Sequence, residues 1–254
     1  RLKRGVMKVI FNEDFYQVYT SDPAAAAGRM ESVVDEIESQ VDFISAKPAA
    51  EDQIALAHDA SHIETVRNFG LYNMAALAAG GAIQAATIGL TEPCFGLIRP
   101  PGHQASAGSC WGFCYFNNMA VALAVLKKEG AINTAYVLDI DLHFGDGTVN
   151  ILGGRDGIEV HNVETRNRIL YIDEISNEMS TCQAEIIGIS AGFDNHQEDW
   201  GGLLGTEDYF EIGYMVRKAA LRIGGGYFAI LEGGYNHQVL GANVLALIKG
   251  MNRQ

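Results

Sequence analysis

The chain has 254 residues, of which 48% are hydrophobic and 19% are charged, and this composition excludes disorder or a coiled coil as its main state. Its formal net charge of −13 argues against nucleic acid or an anionic membrane as the main partner, and it favours cationic or neutral substrates. The four cysteines form no C-x-x-C pair, no apolar run is long enough to span a membrane, and the initial RLKR has no signal-peptide pattern. We therefore expect reduced thiols and a cytoplasmic protein.

The first part of the chain predicts one strand followed by several helices. Residues 6–11 form a short apolar run typical of a strand. Asp22-Pro23 predicts the start of a helix, with Asp22 as the N-cap and Pro23 at the first helical position. Two short helices are expected within residues 51–68, and an Ala-rich helix around residues 71–88 is expected to pack closely against a sheet.

The rest of the chain alternates between short apolar runs and helical patterns. We predict strands at residues 94–98, 134–140, 158–163, 185–190 and 227–231, and helices at residues 118–129, 169–180, 206–223 (capped by Thr206) and 236–250. This alternation predicts an α/β fold with a mostly parallel central sheet and helices on both faces. Because the composition shows no break or linker, we expect one domain over residues 1–254.

Polar side chains follow one strand at the point where the strand ends, which is where ligands bind in such sheets. In Asp139-Ile-Asp141-Leu-His143, side chains at every second position share one face if the strand continues. Three ionisable groups on one face are costly unless they bind something, and carboxylates with a neutral imidazole suit Zn²⁺ or Fe²⁺. The alternative, a helix-capping Asp and a structural His, explains either residue alone but not the combination.

Three further segments follow predicted strands and carry residues that could take part in chemistry. Asp194 could supply another metal ligand, although an Asp in this position often caps a helix. His103 is presented by a stiff Pro- and Gly-rich loop, and paired glycines precede Tyr235. Each of these last two segments could also be an ordinary turn.

Together these segments form an ordered set of five motifs: RPPGH, GFCYFNN, DIDLHFGDGT, SAGFD and GGYN. In this respect the sequence resembles the histone deacetylase superfamily, which includes acetylpolyamine amidohydrolases. The resemblance is good over residues 94–250 and loose over the first 90. It implies the three-layer arginase–deacetylase fold and metal-dependent hydrolysis of an acylated amine such as acetyl-lysine or an acetylpolyamine.

The resemblance also implies a role for several residues. The catalytic metal, Zn²⁺ or alternatively Fe²⁺, would be held by Asp141, His143 and Asp194. Tyr235 corresponds to the tyrosine that hydrogen-bonds the carbonyl oxygen of the scissile amide. With a metal that polarises this carbonyl and activates a water, such a set performs amide hydrolysis.

Other matched positions would support the catalytic site. His103 corresponds to the first of the family's two adjacent histidines. Asp139 would orient it and would also help to hold a structural K⁺ ion. Gly112 and Phe113 would line a narrow substrate channel, and Arg29 would lie beneath the metal, near the path by which the acid product leaves.

The chain departs from the family pattern at its second histidine, which is Gln104 here. A glutamine side chain cannot accept a proton from water, and Asp146 would lose its usual histidine partner. An engineered change, a natural variant that uses His103 as the base, and a lost activity all remain open. Phe144 stands where many members have His. The aromatic loop that usually forms the second channel wall is not recognisable after His161, and the oligomeric state stays open.

Two other functions could also use a metal site of this kind. An arginase-like ureohydrolase needs a second metal bound by a D-x-H-x-D pattern, but Gly145 stands two positions after His143, which disfavours this reading. A non-catalytic module that binds acylated amines and retains the metal site is the alternative from a different class, since the Gln104 substitution fits it.

Overall fold

The computed structural model describes residues 6–252 and has a seven-stranded sheet at its centre. The strand order is β2-β1-β3-β7-β6-β4-β5, and every neighbouring pair is parallel. The strands are β1 Met7–Phe11, β2 Val41–Ser45, β3 Cys94–Gly96, β4 Ala135–Asp139, β5 Ile158–Asn162, β6 Ile186–Ala191 and β7 Gly226–Leu231. The initial RLKR stretch, which has no signal-peptide pattern in its sequence, lies outside the described residues.

Helices surround this sheet, as expected for the three-layer α/β class. They are α1 Arg29–Ile37, α2 Glu51–Ile54, α3 Ala60–Asn68, α4 Tyr72–Gly89, α5 Asn118–Lys128, α6 Asp146–Leu152, α7 Arg168–Thr181, α8 Thr206–Ile223 and α9 His237–Met251. Short 3-10 helices cover Glu13–Tyr16, Pro23–Ala25 and Glu38–Gln40. Helices α4 and α5 pack together, and α9 packs against both α1 and α8. Within the described residues, no helix is both long and apolar enough to cross a membrane.

The core lies where the central strands meet the helices. Every residue of β4, β6 and β7 is buried, as expected for strands covered on both faces. The Ala-rich helix α4 approaches the sheet closely, as its composition predicted. A Cβ added at Gly81 would lie 2.7 Å from the Ile98 side chain, and one at Gly89 would lie 2.9 Å from Phe228.

The first predicted helix begins later than expected. Pro23–Ala25 forms only a 3-10 turn, and α1 begins at Arg29 after Gly28, whose φ of 82° is left-handed. The Asp22 side chain does not cap a helix and instead accepts a hydrogen bond from the Thr20 hydroxyl at 2.8 Å. The prediction of a helix starting at Pro23 is therefore wrong.

Three smaller differences lie elsewhere in the chain. The N-cap of α8 is Gly205, and Thr206 is the first helical residue, with its hydroxyl donating to Asn243 at 2.7 Å. The edge strand β2 and the short helix α6 were not predicted from the sequence. The other predicted elements are confirmed, with ends that differ by a few residues at most.

The strand order explains how distant motifs come together. The RPPGH, LEGGYN, SAGFD and DIDLH segments follow β3, β7, β6 and β4, which are consecutive neighbours in the sheet. Since all these strands run in the same direction, the four segments leave the sheet at one edge. The candidate site is built at that edge.

Candidate active site

The segment after β4 is shaped by its own carboxylates. Strand β4 ends at Asp139, so the alternation expected as far as His143 does not persist. Instead, Asp139 Oδ1 accepts the Asp141 N–H at 3.1 Å, and Asp141 Oδ1 accepts the His143 N–H at 2.9 Å. These local turns nevertheless direct the side chains of Asp141 and His143 to one place.

The three predicted metal ligands converge there. His143 Nδ1 lies 3.1 Å from Asp141 Oδ1 and 3.1 Å from Asp194 Oδ2. One potential ligand atom from each of the three residues lies within 4.8 Å of the others. Asp194 Oδ1 accepts the Leu142 N–H at 3.0 Å. Apart from its contact with the imidazole, the buried Oδ2 atom has no hydrogen-bond partner among the described residues, which leaves it free to bind a metal.

Two glycines make room for these carboxylates. A Cβ at Gly192 would lie 2.2 Å from Asp141 Oδ2, and a Cβ at Gly233 would lie 2.6 Å from the same atom and 2.7 Å from Asp194 Oδ2. The Gly233 N–H also donates to Asp141 Oδ2 at 2.8 Å. The backbone of two neighbouring strand exits thus forms a wall of the cluster.

The buried carboxylates of the cluster favour the binding of a cation. Burial and, after it, the neighbouring Asp141 carboxylate raise the pKa of Asp194 to about 7. Hydrogen bonds to Asp141 and Asp194 raise the pKa of His143 to about 10. Buried carboxylates need a positive partner, and two carboxylates with one imidazole are a ligand set that suits Zn²⁺ or Fe²⁺. The residues present therefore fit a divalent metal ion.

His103 lies beside this cluster and is held by two acidic residues. Its Nδ1 is 3.0 Å from Asp139 Oδ2, and its Nε2 is 3.7 Å from Asp141 Oδ1. Burial lowers the pKa of His103, but Asp141 and Asp139 outweigh burial, so that its pKa stands well above the ordinary value. The imidazole is therefore held in its protonated form when the cluster contains no metal.

Glu232, which sequence reasoning missed, supports the loop that carries His103. It is fully buried, and its Oε2 accepts the N–H groups of Gly102 and His103 at 2.7 and 3.2 Å. Burial raises the pKa of Glu232 to about 7. Together with His103 and Cys114 it forms a second buried group that could hold a metal ion. The only sequence signal was a charged residue directly after an entirely apolar strand.

Gln104, which the family resemblance matches to a second histidine, is buried against Gly112. Gly112 has a φ of 61°, and a Cβ there would lie 2.1 Å from Gln104 Oε1. Gln104 Nε2 is buried and has no hydrogen-bond partner among the described residues. Asp146, expected to be without a partner, instead accepts the indole N–H of Trp111, with Nε1 3.0 Å from Oδ1 and 2.9 Å from Oδ2.

Tyr235 is surrounded by aromatic side chains. Its ring stacks on Trp200 with 4.1 Å between centroids, and it meets Phe113 edge-on at 5.7 Å. Asp199 Oδ2 fixes the backbone by accepting the Tyr235 and Asn236 N–H groups, each at 2.8 Å. Burial raises the pKa of Tyr235 above its ordinary value, so its hydroxyl remains protonated near neutral pH. Trp200 and Asp199 were not singled out in the sequence.

Arg29 is placed behind the Tyr235 loop. It is fully buried, donating from Nε to the Gly234 carbonyl at 2.8 Å and from Nη2 to the Glu232 carbonyl at 2.7 Å. Its guanidinium carbon lies 5.6 Å from the centre of the Tyr235 ring. These contacts hold the backbone of the Tyr235 loop in place, and the expected position of Arg29 beneath the metal, near the substrate channel, stays a prediction.

The region of the predicted K⁺ site contains strand-end carbonyls that already accept hydrogen bonds. The Asp139 carbonyl accepts the Val163 N–H at 3.2 Å, and the Ile140 carbonyl accepts the Tyr171 hydroxyl at 3.0 Å. Asn195 Nδ2 also donates to the Ile140 carbonyl, at 3.1 Å. No contact here tests K⁺ binding, which stays a prediction.

Comparison with known proteins identifies the family to which the chain is similar. The family model described as "Histone deacetylase domain" matches residues 24–173, more than half of the chain. The match ends within α7, and so before Asp194 and Tyr235, but it includes much of the first part of the chain, where only a loose resemblance was expected.

Curated relatives and a solved structure are similar over 61% to 98% of the chain. A "Probable deacetylase" of Methanothermobacter thermautotrophicus is 26% identical and covers 89% of this chain and 85% of that protein. A "Probable deacetylase" of Archaeoglobus fulgidus is 35% identical over 66% of this chain and 57% of that protein. "Acetylpolyamine amidohydrolase 2" of Pseudomonas aeruginosa is 27% identical over 61% of this chain and 55% of that protein. The crystal structure of the HDA15 HD domain shares the fold, with a TM-score of 0.85 at 21% identity, covering 98% of this chain and 90% of that one. The chain belongs to the histone deacetylase family.

Proposed function

We propose that this protein is a metal-dependent deacylase that hydrolyses the amide bond of an acylated amine of the acetyl-lysine or acetylpolyamine type. The observation that carries the proposal is the convergence of Asp141, His143 and Asp194 at the strand edge, where the buried Asp194 Oδ2 contacts no polar partner among the described residues except the His143 imidazole. Relatives named as deacetylases and acetylpolyamine amidohydrolases support the reaction class. The acidic surface favours a cationic amine.

The chain's own residues supply the binding and stabilisation that the reaction needs. When bound, Zn²⁺ or Fe²⁺ supplies the Lewis acidity that polarises the carbonyl and lowers the pKa of a water molecule. The Tyr235 hydroxyl donates a hydrogen bond to the carbonyl oxygen, and this bond strengthens as negative charge develops there. Gly112 and Phe113 line the approach to the amide, and Arg29 holds the backbone beneath Tyr235 in place.

Proton transfer is the step in which this chain departs from its family. His103 Nδ1 lies 3.0 Å from Asp139 Oδ2, and this carboxylate favours the cationic imidazole, which suits a donor to the leaving amine better than an acceptor from water. Gln104 can hold a water by hydrogen bonds but cannot take its proton. We therefore propose slow turnover with intact binding. The alternative, a non-catalytic module that binds acylated amines, is favoured by this same substitution.

The test is hydrolysis of a panel of acetylated polyamines and acyl-lysine peptides by the protein loaded with Zn²⁺ or Fe²⁺. We expect equimolar release of acid and amine, loss of turnover after chelation, and recovery when one equivalent of metal is restored. Binding of these compounds without any release of acid would favour the binding module. Neither binding nor release, with metal content confirmed, would refute both functions.

Replacing Tyr235 with Phe is expected to lower turnover by roughly 100- to 1000-fold, because an oxyanion donor is lost. Metal content should stay unchanged, since Tyr235 is not a ligand in this proposal. The variant is best measured on the most active substrate of the panel, both in the otherwise unaltered protein and in a Gln104→His background. An undiminished rate in both backgrounds would show that the hydroxyl has no role in the reaction.

A further inference from the structure

A second group of potential ligands lies beside the three predicted metal ligands and takes no part in their proposed metal binding. It consists of His103, Cys114 and Glu232, which are 3%, 2% and 0% exposed. One ligand atom from each residue lies within 4.8 Å of the other two. An imidazole, a thiol and a carboxylate are three side-chain types that bind Zn²⁺ in proteins. We call this group the inner cluster.

The carboxylate of Glu232 has one oxygen bound and one oxygen free. Its Oε2 atom accepts the N–H groups of Gly102 and His103 at 2.7 and 3.2 Å, which fixes the orientation of the carboxylate. Its Oε1 atom is buried and has no hydrogen-bond partner among the described residues. A buried carboxylate oxygen without a partner is costly, and a bound cation removes this cost. Glu232 therefore offers one free ligand atom in a fixed position.

The other two residues of the inner cluster also keep a ligand atom available. His103 Nδ1 lies 3.0 Å from Asp139 Oδ2, so Nε2 is the ring nitrogen left to bind a metal. A carboxylate on the second ring nitrogen is the usual arrangement behind a metal-bound histidine. Cys114 is a free cysteine whose Sγ atom accepts the Gln104 N–H at 3.5 Å, a weak contact that a metal ion can replace.

We propose that the inner cluster binds its own divalent metal ion, separate from the catalytic metal, through His103 Nε2, Cys114 Sγ and Glu232 Oε1. A thiolate with an imidazole favours Zn²⁺ or Co²⁺ over Mg²⁺ and Ca²⁺, which prefer oxygen ligands. The ionised thiol and carboxylate together balance the charge of the ion. Bonds of about 2.0–2.3 Å around a tetrahedral Zn²⁺ place ligand atoms roughly 3.3–3.8 Å apart, so side-chain movements of roughly 1 Å complete the site.

The inner cluster should bind metal more weakly than the three predicted metal ligands and therefore fill second. His103 Nε2 lies 3.7 Å from Asp141 Oδ1, so an ion in the inner cluster lies close to one bound by Asp141, and the two like charges repel each other. Binding must also displace the proton of the Cys114 thiol to solvent. An ion on Nε2 prevents His103 from donating a proton to the leaving amine; this consequence rests on the proposed function, whereas the metal site itself does not.

The test is titration of the metal-free, reduced protein with Co²⁺, followed by absorption spectroscopy. A cobalt–thiolate bond gives a strong charge-transfer band in the near ultraviolet, which carboxylate and imidazole ligands do not give. Because the three predicted metal ligands include no cysteine, this band reports the inner cluster alone. We expect two bound equivalents, with the band developing as the second one binds. Zn²⁺ should displace the second equivalent and abolish the band, and Mg²⁺ should not.

Three variants assign the band to particular ligands. Cys114→Ser should abolish it and leave the first equivalent bound. Glu232→Gln keeps a carbonyl oxygen for the two backbone N–H groups but removes the charge, so it should weaken the second equivalent at least tenfold. Cys110→Ser is the matched control, because it removes a more exposed thiol from the same segment, and the band should persist.

The outcomes separate this inference from the proposed function. One bound equivalent without the band, at saturating Co²⁺, refutes the second site while the proposed function stands. A band that survives Cys114→Ser or is lost in Cys110→Ser also refutes it, as does an unchanged second affinity in Glu232→Gln. Loss of the first equivalent in Asp194→Asn, with the band retained, supports two separate sites. If the band behaves as expected but the protein neither binds nor hydrolyses acylated amines, the proposed function fails and the inner cluster remains a metal site.

Discussion

Replacing Asp194 with Asn is expected to remove tight metal binding and, with it, all measurable hydrolysis. Asn can still accept the Leu142 N–H through its carbonyl oxygen, so the local backbone bond survives. The substitution removes the second carboxylate of the ligand set, including Oδ2, which contacts only the His143 imidazole among the polar groups of the described residues. A neutral amide is a poorer ligand for Zn²⁺ than a carboxylate, and we expect metal affinity to fall at least a hundredfold.

The same variant has a distinct effect on stability. Without metal, burial and the Asp141 charge disfavour ionised Asp194, so removing its charge should leave the free energy of unfolding unchanged or slightly higher. With metal at 100 times its Kd, the wild-type protein should gain about 2.7 kcal/mol, whereas the variant should gain much less. Thermal unfolding with and without Zn²⁺ measures both effects.

A matched control is available on the protein surface. Asp173, an exposed residue of α7, can be changed to Asn without touching the cluster, and this variant should keep one equivalent of metal and the full stabilisation. If Asp194→Asn also binds one equivalent with wild-type affinity, Asp194 is not a ligand and the proposed metal site is wrong.

Much of the site could be anticipated because parallel strands place their carboxyl ends at one edge of the sheet. The motifs around Asp141, Asp194 and Tyr235 each follow a strand, so their convergence required only that these strands be neighbours. The family resemblance then supplied the roles that composition and spacing could not. The strand order itself, with β7 between β3 and β6, has no local signal in the sequence.

The site residues that the sequence did not indicate are positioned by contacts with residues far away in the chain. Trp200 lies six residues after Asp194, and nothing in that spacing shows that its ring stacks on Tyr235. Trp111 could not be paired with Asp146 before the loops were placed. Glu232 also depends on a distant partner, since it accepts backbone N–H groups of the RPPGH loop.

The wrong helix start near Asp22-Pro23 has a similar cause. The carbonyl of Ala24 accepts hydrogen bonds from Arg29 at 3.3 Å and from Arg99 at 3.1 Å, and the carbonyl of Ala26 accepts one from Arg99 at 2.9 Å. In a helix, each of these carbonyls would accept a backbone N–H from four residues later. Here they accept hydrogen bonds from two buried guanidinium groups, and the helical pattern does not continue. A local capping signal was therefore overridden by tertiary contacts.

Replacing Gln104 with His is expected to raise turnover by roughly two to four orders of magnitude, the usual span for a positioned acid–base residue. A neutral imidazole at this position can accept the proton of the attacking water, which an amide cannot do. Metal content should not change, since Gln104 is not a ligand in the proposed site. The rate should rise with pH as the new imidazole loses its proton, near pH 6.5 if its pKa is unperturbed.

The hydrogen-bond partner of Asp146 limits the increase in turnover that Gln104→His can produce. The family resemblance makes Asp146 the orienting carboxylate of the second histidine, but here both of its oxygens accept the Trp111 indole N–H. In the Gln104→His background, Trp111→Phe frees this carboxylate for the new imidazole and should increase the gain further.

Gln104→Asn provides the control, because it alters the side chain without adding a titratable group, and it should not increase turnover. Rates for Gln104→His that equal the wild-type rates across the pH range would mean that His103 alone suffices as the base. The reaction in this chain would then need only one histidine besides the metal ligand.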